Sequence, residues 1–199
     1  MNESSASIAP CSALRSSQRS SLLSNRLIGL LLSLPFTLLL SSEPAHAQWR
    51  VDRVFDGDSL RLIDKNGQRL AVRLAGIDAP EKNQAYADRS RQNLILLMAN
   101  CKPELSVQKI DRYGRSVSQL FCGERDLALA QLERGYAWHF TRYAKEQPFE
   151  LRRTYREAQQ RAQAAGLGLW RDDNPIEPWI YRDQQRALRH SSGSTSIRH

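Results

Sequence analysis

Residues 51 to 75 read VDRVFDGDSLRLIDKNGQRLAVRLA. Three short runs rich in β-formers, Val51 to Phe55, Ser59 to Ile63 and Arg69 to Ala75, are separated by Asp56-Gly57 and by Lys65-Asn66-Gly67. Asp-Gly and Asn-Gly supply the positive φ angles that tight hairpins require, so the stretch predicts an antiparallel meander. In the third run Leu70, Val72 and Leu74 alternate with Arg69, Ala71 and Arg73. That spacing turns the aliphatic set toward a core and Arg73 toward the opposite face, where a site can form.

Working outward, the chain after Pro80 is polar and irregular to about Tyr86, and Leu94, Leu97 and Met98 then recur at helical spacing up to Asn100. Leu105 to Ile110 and Ser116 to Phe121 form a second strand pair around Asp111 to Arg115, a turn with a glycine inside it. Asp126 is a suitable N-cap for a helix over Leu127 to Arg134, which Gly135 ends, and a longer helix over Phe149 to Ala165 starts beside Pro148 and stops at Gly166. Five strands with a helix between the third and fourth predict an α+β domain, a five-stranded OB-type Greek-key β-barrel with three flanking α-helices. Residues 172 to 179, with Pro175 and Pro178, are expected to run extended against the body, and residues 181 to 199 to be a disordered basic tail.

The chain has 199 residues and a net charge of +8, room for one domain of ordinary size plus extensions. At the start, Arg15, Arg19 and Arg26 precede an apolar run of 14 residues, Leu27 to Leu40, too short to span a bilayer comfortably. It leads to Ala45-His46-Ala47, a small-x-small pattern that predicts a signal peptide over residues 1 to 47, cleaved after Ala47. The domain would then occupy residues 48 to 180 and be exported, periplasmic or secreted, with no stable membrane insertion after processing; the alternative is an uncleaved membrane anchor. Removing three arginines and two glutamates with the leader leaves 26 basic against 19 acidic residues, a net +7. A basic surface favours polyanions through counterion release, though a solvated surface can be equally basic.

Only Cys101 and Cys122 remain after Ala47. An even pair in an exported domain invites a disulfide; two buried thiols or a metal role are the other readings, and without a nearby histidine the pair makes a poor zinc site. His46, His139, His190 and His199 have neither a catalytic partner nor metal-ligand spacing.

The chemistry sits in three short contexts, Asp56-Gly57-Asp58-Ser59, Arg73-Leu74-Ala75-Gly76-Ile77-Asp78-Ala79-Pro80-Glu81 and Asp111-Arg112-Tyr113-Gly114-Arg115. Carboxylates hold a hard divalent cation through oxygen, a further carboxylate can take a proton from water, and arginines meet the charge that grows on a phosphoryl group under attack. Taken singly, each residue also has an ordinary explanation as a turn or surface residue. With Glu133-Arg134-Gly135-Tyr136-Ala137 and Gly166-Leu167-Gly168-Leu169-Trp170, these motifs make the segment from about Val51 to Trp170 resemble the thermonuclease family, the staphylococcal-nuclease-like domains. The resemblance implies a calcium-dependent, sugar-nonspecific endonuclease acting on DNA and RNA and leaving 3′-phosphate ends. It assigns Ca2+ to Asp58, Asp78 and the backbone oxygen of Ala79, the general base to Glu81, and charge stabilisation to Arg73 and Arg115. Tyr113 and Tyr143 match the family's substrate-binding tyrosines. Ser59 and Ala79 stand where many relatives carry threonine, and neither change removes a carboxylate. Trp170 reads as structural packing, and a monomer is expected. The rival reading is a non-catalytic OB-fold nucleic-acid-binding module; a basic envelope protein binding lipid or polysaccharide is a third.

Overall fold

The computed structural model describes residues 48 to 195. The predicted signal peptide and its cleavage site lie outside the described residues. Three strands open the fold, β1 (Arg50–Val54), β2 (Ser59–Ile63) and β3 (Arg69–Leu74), each antiparallel to the one before it. Leu60 and Leu62 of β2 and Val72 and Leu74 of β3 are buried in one core, with Leu70 packed against it. The period-two pattern therefore orients the meander as the sequence requires, and Arg73 faces the other way.

Two-residue β4 (Ile77–Asp78) follows a turn at Gly76, where φ is +75° and an added Cβ would lie 2.1 Å from the Gln147 side chain. Only glycine fits that bend, which reverses the chain and returns Asp78 to the flank of Arg73. Helix α1 (Ala87–Leu97) lays Leu94 and Leu97 on the core. The hairpin of β5 (Pro103–Ile110) and β6 (Ser116–Cys122) comes next, and β6 runs parallel to β3 with Arg73 opposite Val117. Cys101 and Cys122 form a disulfide across the open end of this hairpin, their α-carbons 5.5 Å apart.

Short β7 (Arg125–Asp126) leads into α2 (Leu127–Glu133), and Asp126 caps that helix by accepting from the amides of Ala128 at 2.9 Å and Leu129 at 3.2 Å. β8 (Trp138–His139) pairs antiparallel with β4, so that Asp78 lies opposite Trp138. In α3 (Phe149–Ala164) Tyr155 is fully buried and donates its hydroxyl to Asp126 at 2.7 Å, tying α3 to the start of α2. The last element is α4 (Pro178–Thr195).

The α+β class stands, but the expected five-stranded barrel with three helices does not. A six-stranded sheet runs β1-β2-β3-β6-β5, with β7 paired to β6, and a two-stranded sheet joins β4 to β8. Among the described residues no ladder joins β1 to β5, so the sheet is not closed by hydrogen bonds, and there are four α-helices.

A second correction concerns the C-terminal segment. Residues 172 to 177 are non-helical, as expected, but Pro178 opens α4, and residues 181 to 195 are helical instead of a disordered tail. Proline disfavours the interior of a helix, yet at the first helical position it costs nothing, because the missing N–H would be unpaired there anyway. Trp179 then gives the helix a reason to dock. It packs with Trp138 and Leu169 in a small second cluster to which Tyr86, Phe140 and Trp170 add their rings. Trp170 stacks edge-on to Trp138 at 4.3 Å, the structural role expected of it. None of the described helices is long and apolar enough to cross a membrane.

Candidate active site

The site begins at the β1–β2 turn. Gly57 brings this turn so close to α1 that an added Cβ would lie 1.7 Å from Ser90 Oγ. The turn is held in that position from α2, since Gln131 Nε2 donates to the Gly57 carbonyl at 2.6 Å. Asp58 is consequently delivered into the interior, 3% exposed.

Both oxygens of Asp58 accept hydrogen bonds. Its Oδ1 accepts from Arg73 Nη1 at 2.6 Å and from Ser59 Oγ at 2.7 Å, and its Oδ2 accepts from the Ala79 backbone N–H at 2.8 Å. Burial alone would push this carboxyl upward, but the Arg73 charge, the Ala79 amide and the Ser59 hydroxyl outweigh it, and the group titrates below its ordinary range. Asp56 behaves oppositely. Burial, followed by the charge of Asp58, raises it to about 7, even though its Oδ1 accepts from the Asp58 amide at 2.9 Å.

Arg73 extends from β3 between two carboxylates. While Nη1 holds Asp58, Nη2 donates to Asp78 Oδ1 at 2.7 Å and to the Ile77 carbonyl at 3.2 Å. Asp78 is 1% exposed, and a second guanidinium completes its shell: Arg182 of α4 donates from Nη2 to Oδ2 at 2.7 Å and from Nη1 to Oδ1 at 3.3 Å. The same Nη1 reaches Glu81 Oε1 at 2.5 Å. Burial and the Asp58 charge push Asp78 above its ordinary range, and the two arginines offset that only in part.

Asp58, Arg73, Asp78, Arg182 and Glu81 thus form one unbroken chain of ion pairs. Arg115 joins it more loosely, through Nη1 to Ser59 Oγ at 3.4 Å, while its Nε donates to Asp111 Oδ2 at 2.8 Å. Asp111 Oδ1 also accepts from the amides of Tyr113 and Arg115, both at 2.9 Å, so the turn and the arginine leaving it are organised by one carboxylate. Tyr113 is exposed, with the guanidinium carbons of Arg112 and Arg115 at 4.9 and 5.5 Å from its ring centroid. Tyr143 belongs to a neighbouring group. It is also exposed, 5.1 Å from the Phe140 ring, with Lys109 Nζ 5.2 Å from its centroid.

Asp58, Arg73, Asp78 and Glu81, proposed from sequence, are therefore in direct contact or share a partner; Arg115 and the Ala79 amide border the cluster. Three members were not anticipated. In the sequence Ser59 stands out only as a substitution for threonine and Asp56 only as part of its motif, and Arg182 falls in the expected disordered tail. The helix-starting Pro178 followed by Trp179 was the available signal for Arg182.

The donor chemistry suits a hard cation, because the convergent acidic groups are carboxylates and offer oxygen alone. The spacing is set differently: among the described residues no three acidic, histidine or cysteine side chains stand close enough to hold a metal by themselves, and guanidinium groups separate the carboxylates. Two carboxylates that lie on one guanidinium nevertheless converge on one small volume, and the residues fit a cation that would replace part of that positive charge.

Comparison with known proteins shows the family. The family model described as staphylococcal nuclease homologue matches residues 71–172. A Haemophilus influenzae protein named as an endonuclease is 36% identical over 155 residues, covering 78% of this chain and 84% of its own length. A micrococcal nuclease of Shigella flexneri is 34% identical over 156 residues, 73% of this chain and 87% of its own. A probable staphylococcal-like nuclease of rice is 35% identical over 125 residues, 63% of this chain and 32% of its own. The chain belongs to the staphylococcal nuclease family and is a thermonuclease-like hydrolase.

Proposed function

We propose that the protein is an exported, calcium-dependent, sugar-nonspecific endonuclease that hydrolyses phosphodiester bonds of DNA and RNA to 3′-phosphate products. The observation that carries this reading is the convergence of Asp58, Asp78 and Glu81 on two shared guanidinium groups, with Arg115 reaching the rim through Ser59. Acidic side chains linked in series through two guanidinium groups, beside exposed basic and aromatic groups, suit a polyanionic substrate and an acid–base reaction on it.

Asp58, Asp78 and the Ala79 carbonyl would hold Ca2+. The bound ion would supply positive charge to grip a phosphate and polarise it. Glu81 is the most accessible of the three acids, and accepts the proton of the attacking water. Arg115, half-exposed and held by Asp111 of its own turn and by a long contact to Ser59 Oγ, can turn its guanidinium to donate two N–H bonds to the non-bridging oxygens as their charge grows. Arg73 keeps the two buried carboxylates together and contributes charge from below them. Tyr113, flanked by Arg112 and Arg115, offers a ring on which any base can stack; Tyr143 beside Lys109 offers a second. Stacking carries little sequence preference, which accords with broad substrate use.

Export follows from the leader, with cleavage after Ala47 releasing a monomer from residue 48 onward; mass spectrometry of the mature N-terminus checks it. The product chemistry has its own test. Digestion of both plasmid DNA and a synthetic RNA is expected to leave ends that a 3′-phosphatase must treat before a polymerase extends the DNA. Direct extension of untreated DNA fragments would contradict the proposed bond cleavage.

A further inference from the structure

Arg182 is delivered to the acidic cluster by a helix with firm attachments of its own. The Trp179 ring is 6.2 Å from that of Trp138 and 5.3 Å from that of Phe140. On the next turn Asp183 accepts from Arg142 Nη2 at 2.9 Å, and just ahead of α4 the Ile176 carbonyl accepts from Gln84 Nε2 at 2.9 Å. The guanidinium is thereby held at high local concentration over Asp78 and Glu81, 104 and 101 residues away in sequence.

The contacts there are unequal. Arg73 is 16% exposed and divides its guanidinium among Asp58, Asp78 and the Ile77 carbonyl. The Arg182 side chain is 35% exposed, yet takes Asp78 Oδ2 and Glu81 Oε1. A cation that approaches Asp78 from solvent therefore meets Arg182 first. Charge points the same way: three carboxylates, Asp58, Asp78 and Glu81, face two guanidinium groups. Removal of one guanidinium makes the charge that attracts a cation more negative by one.

We propose that Arg182 is an internal competitor for the divalent cation: it occupies Asp78 and Glu81 when no cation is bound, holds Glu81 in place, and yields Asp78 as the cation enters. α4 is then a working part of the site and sets the cation concentration at which the site fills. The proposal rests on the reading of Asp58 and Asp78 as cation ligands.

Calorimetric titration of the purified protein with CaCl2, without nucleic acid, tests it. Arg182→Gln is expected to bind Ca2+ about ten- to a hundredfold more tightly than wild type, because a positive charge in contact with the site is removed. Arg182→Lys should fall between them, since it keeps the charge but cannot grip both carboxylates in a fork. Arg186→Gln, which removes an exposed partner of Asp183 on the same helix, should match wild type. Thermal melts in chelator establish that each variant is folded at the titration temperature; if Arg182→Gln is not, the Lys variant alone decides by the same comparison. Equal or weaker Ca2+ binding by the Arg182 variants would overturn the proposal while leaving the cation reading intact. Absence of Ca2+ binding by every form, wild type included, would overturn both.

Discussion

Arg73→Ala is expected to destabilise the protein by about 3 to 5 kcal/mol and to abolish measurable nuclease activity. The stability part follows from burial. Arg73 is the shared counter-ion of Asp58 and Asp78, which are 3% and 1% exposed. Removal of one partner from a buried ion pair leaves an uncompensated charge, and here two carboxylates lose the group that joins them. A purely catalytic arginine would lose activity on substitution and keep its folding. The structure makes that separation unattainable at Arg73 itself. It remains attainable at Arg115, a more exposed residue whose ion pair is with neighbouring Asp111. Loss of that pair costs only about 0 to 1 kcal/mol, so Arg115 is the arginine at which catalysis is measured free of folding. Urea unfolding of Arg73→Ala in chelator checks the claim; a midpoint within error of wild type would show that the two carboxylates do not depend on the guanidinium.

Glu81→Gln is expected to lower turnover on the order of a hundred- to ten-thousandfold, the usual range for loss of a general base, and to leave the melting temperature within a few degrees of wild type. The substitution is isosteric, and Glu81 sits at the accessible end of the cluster, with its backbone N–H held separately by Gln84 Oε1 at 2.8 Å. Its ion pair with Arg182 is partly exposed on both sides, so little stability rides on the charge. Steady-state kinetics on a defined oligonucleotide separate this effect from binding, because a lost base lowers kcat with KM nearly unchanged. A variant that cuts as fast as wild type would remove Glu81 from the reaction.

Local spacing made much of this legible. Alternation across Leu70, Val72 and Leu74 oriented Arg73, Asp-Gly and Asn-Gly marked the turns, and the four residues between Arg73 and Asp78 leave just enough chain for the Gly76 bend to bring them side by side. Asp126 announced its helix through its capping chemistry. What escaped depends on long-range packing. Whether the ends of a sheet meet is decided by twist and by the elements packed on it, which local periodicity does not report. Pro178 in isolation resembles a helix breaker, whereas its position makes it a starter, and the contact from Arg182 to Asp78 depends on the helix it starts. The two tyrosines divide in the same way: Tyr113 lies inside the Asp111 to Arg115 turn and inherits its place from that motif, while Tyr143 comes from a 3₁₀ segment, Thr141–Glu146, whose location the sequence left open.

The account stands most directly on the need for a cation at the acidic cluster. Plasmid DNA incubated with the purified protein should be degraded in micromolar to millimolar Ca2+ and stay intact when the ion is removed with a calcium chelator, with activity returning when Ca2+ is restored in excess. Undiminished degradation in the chelator would contradict it.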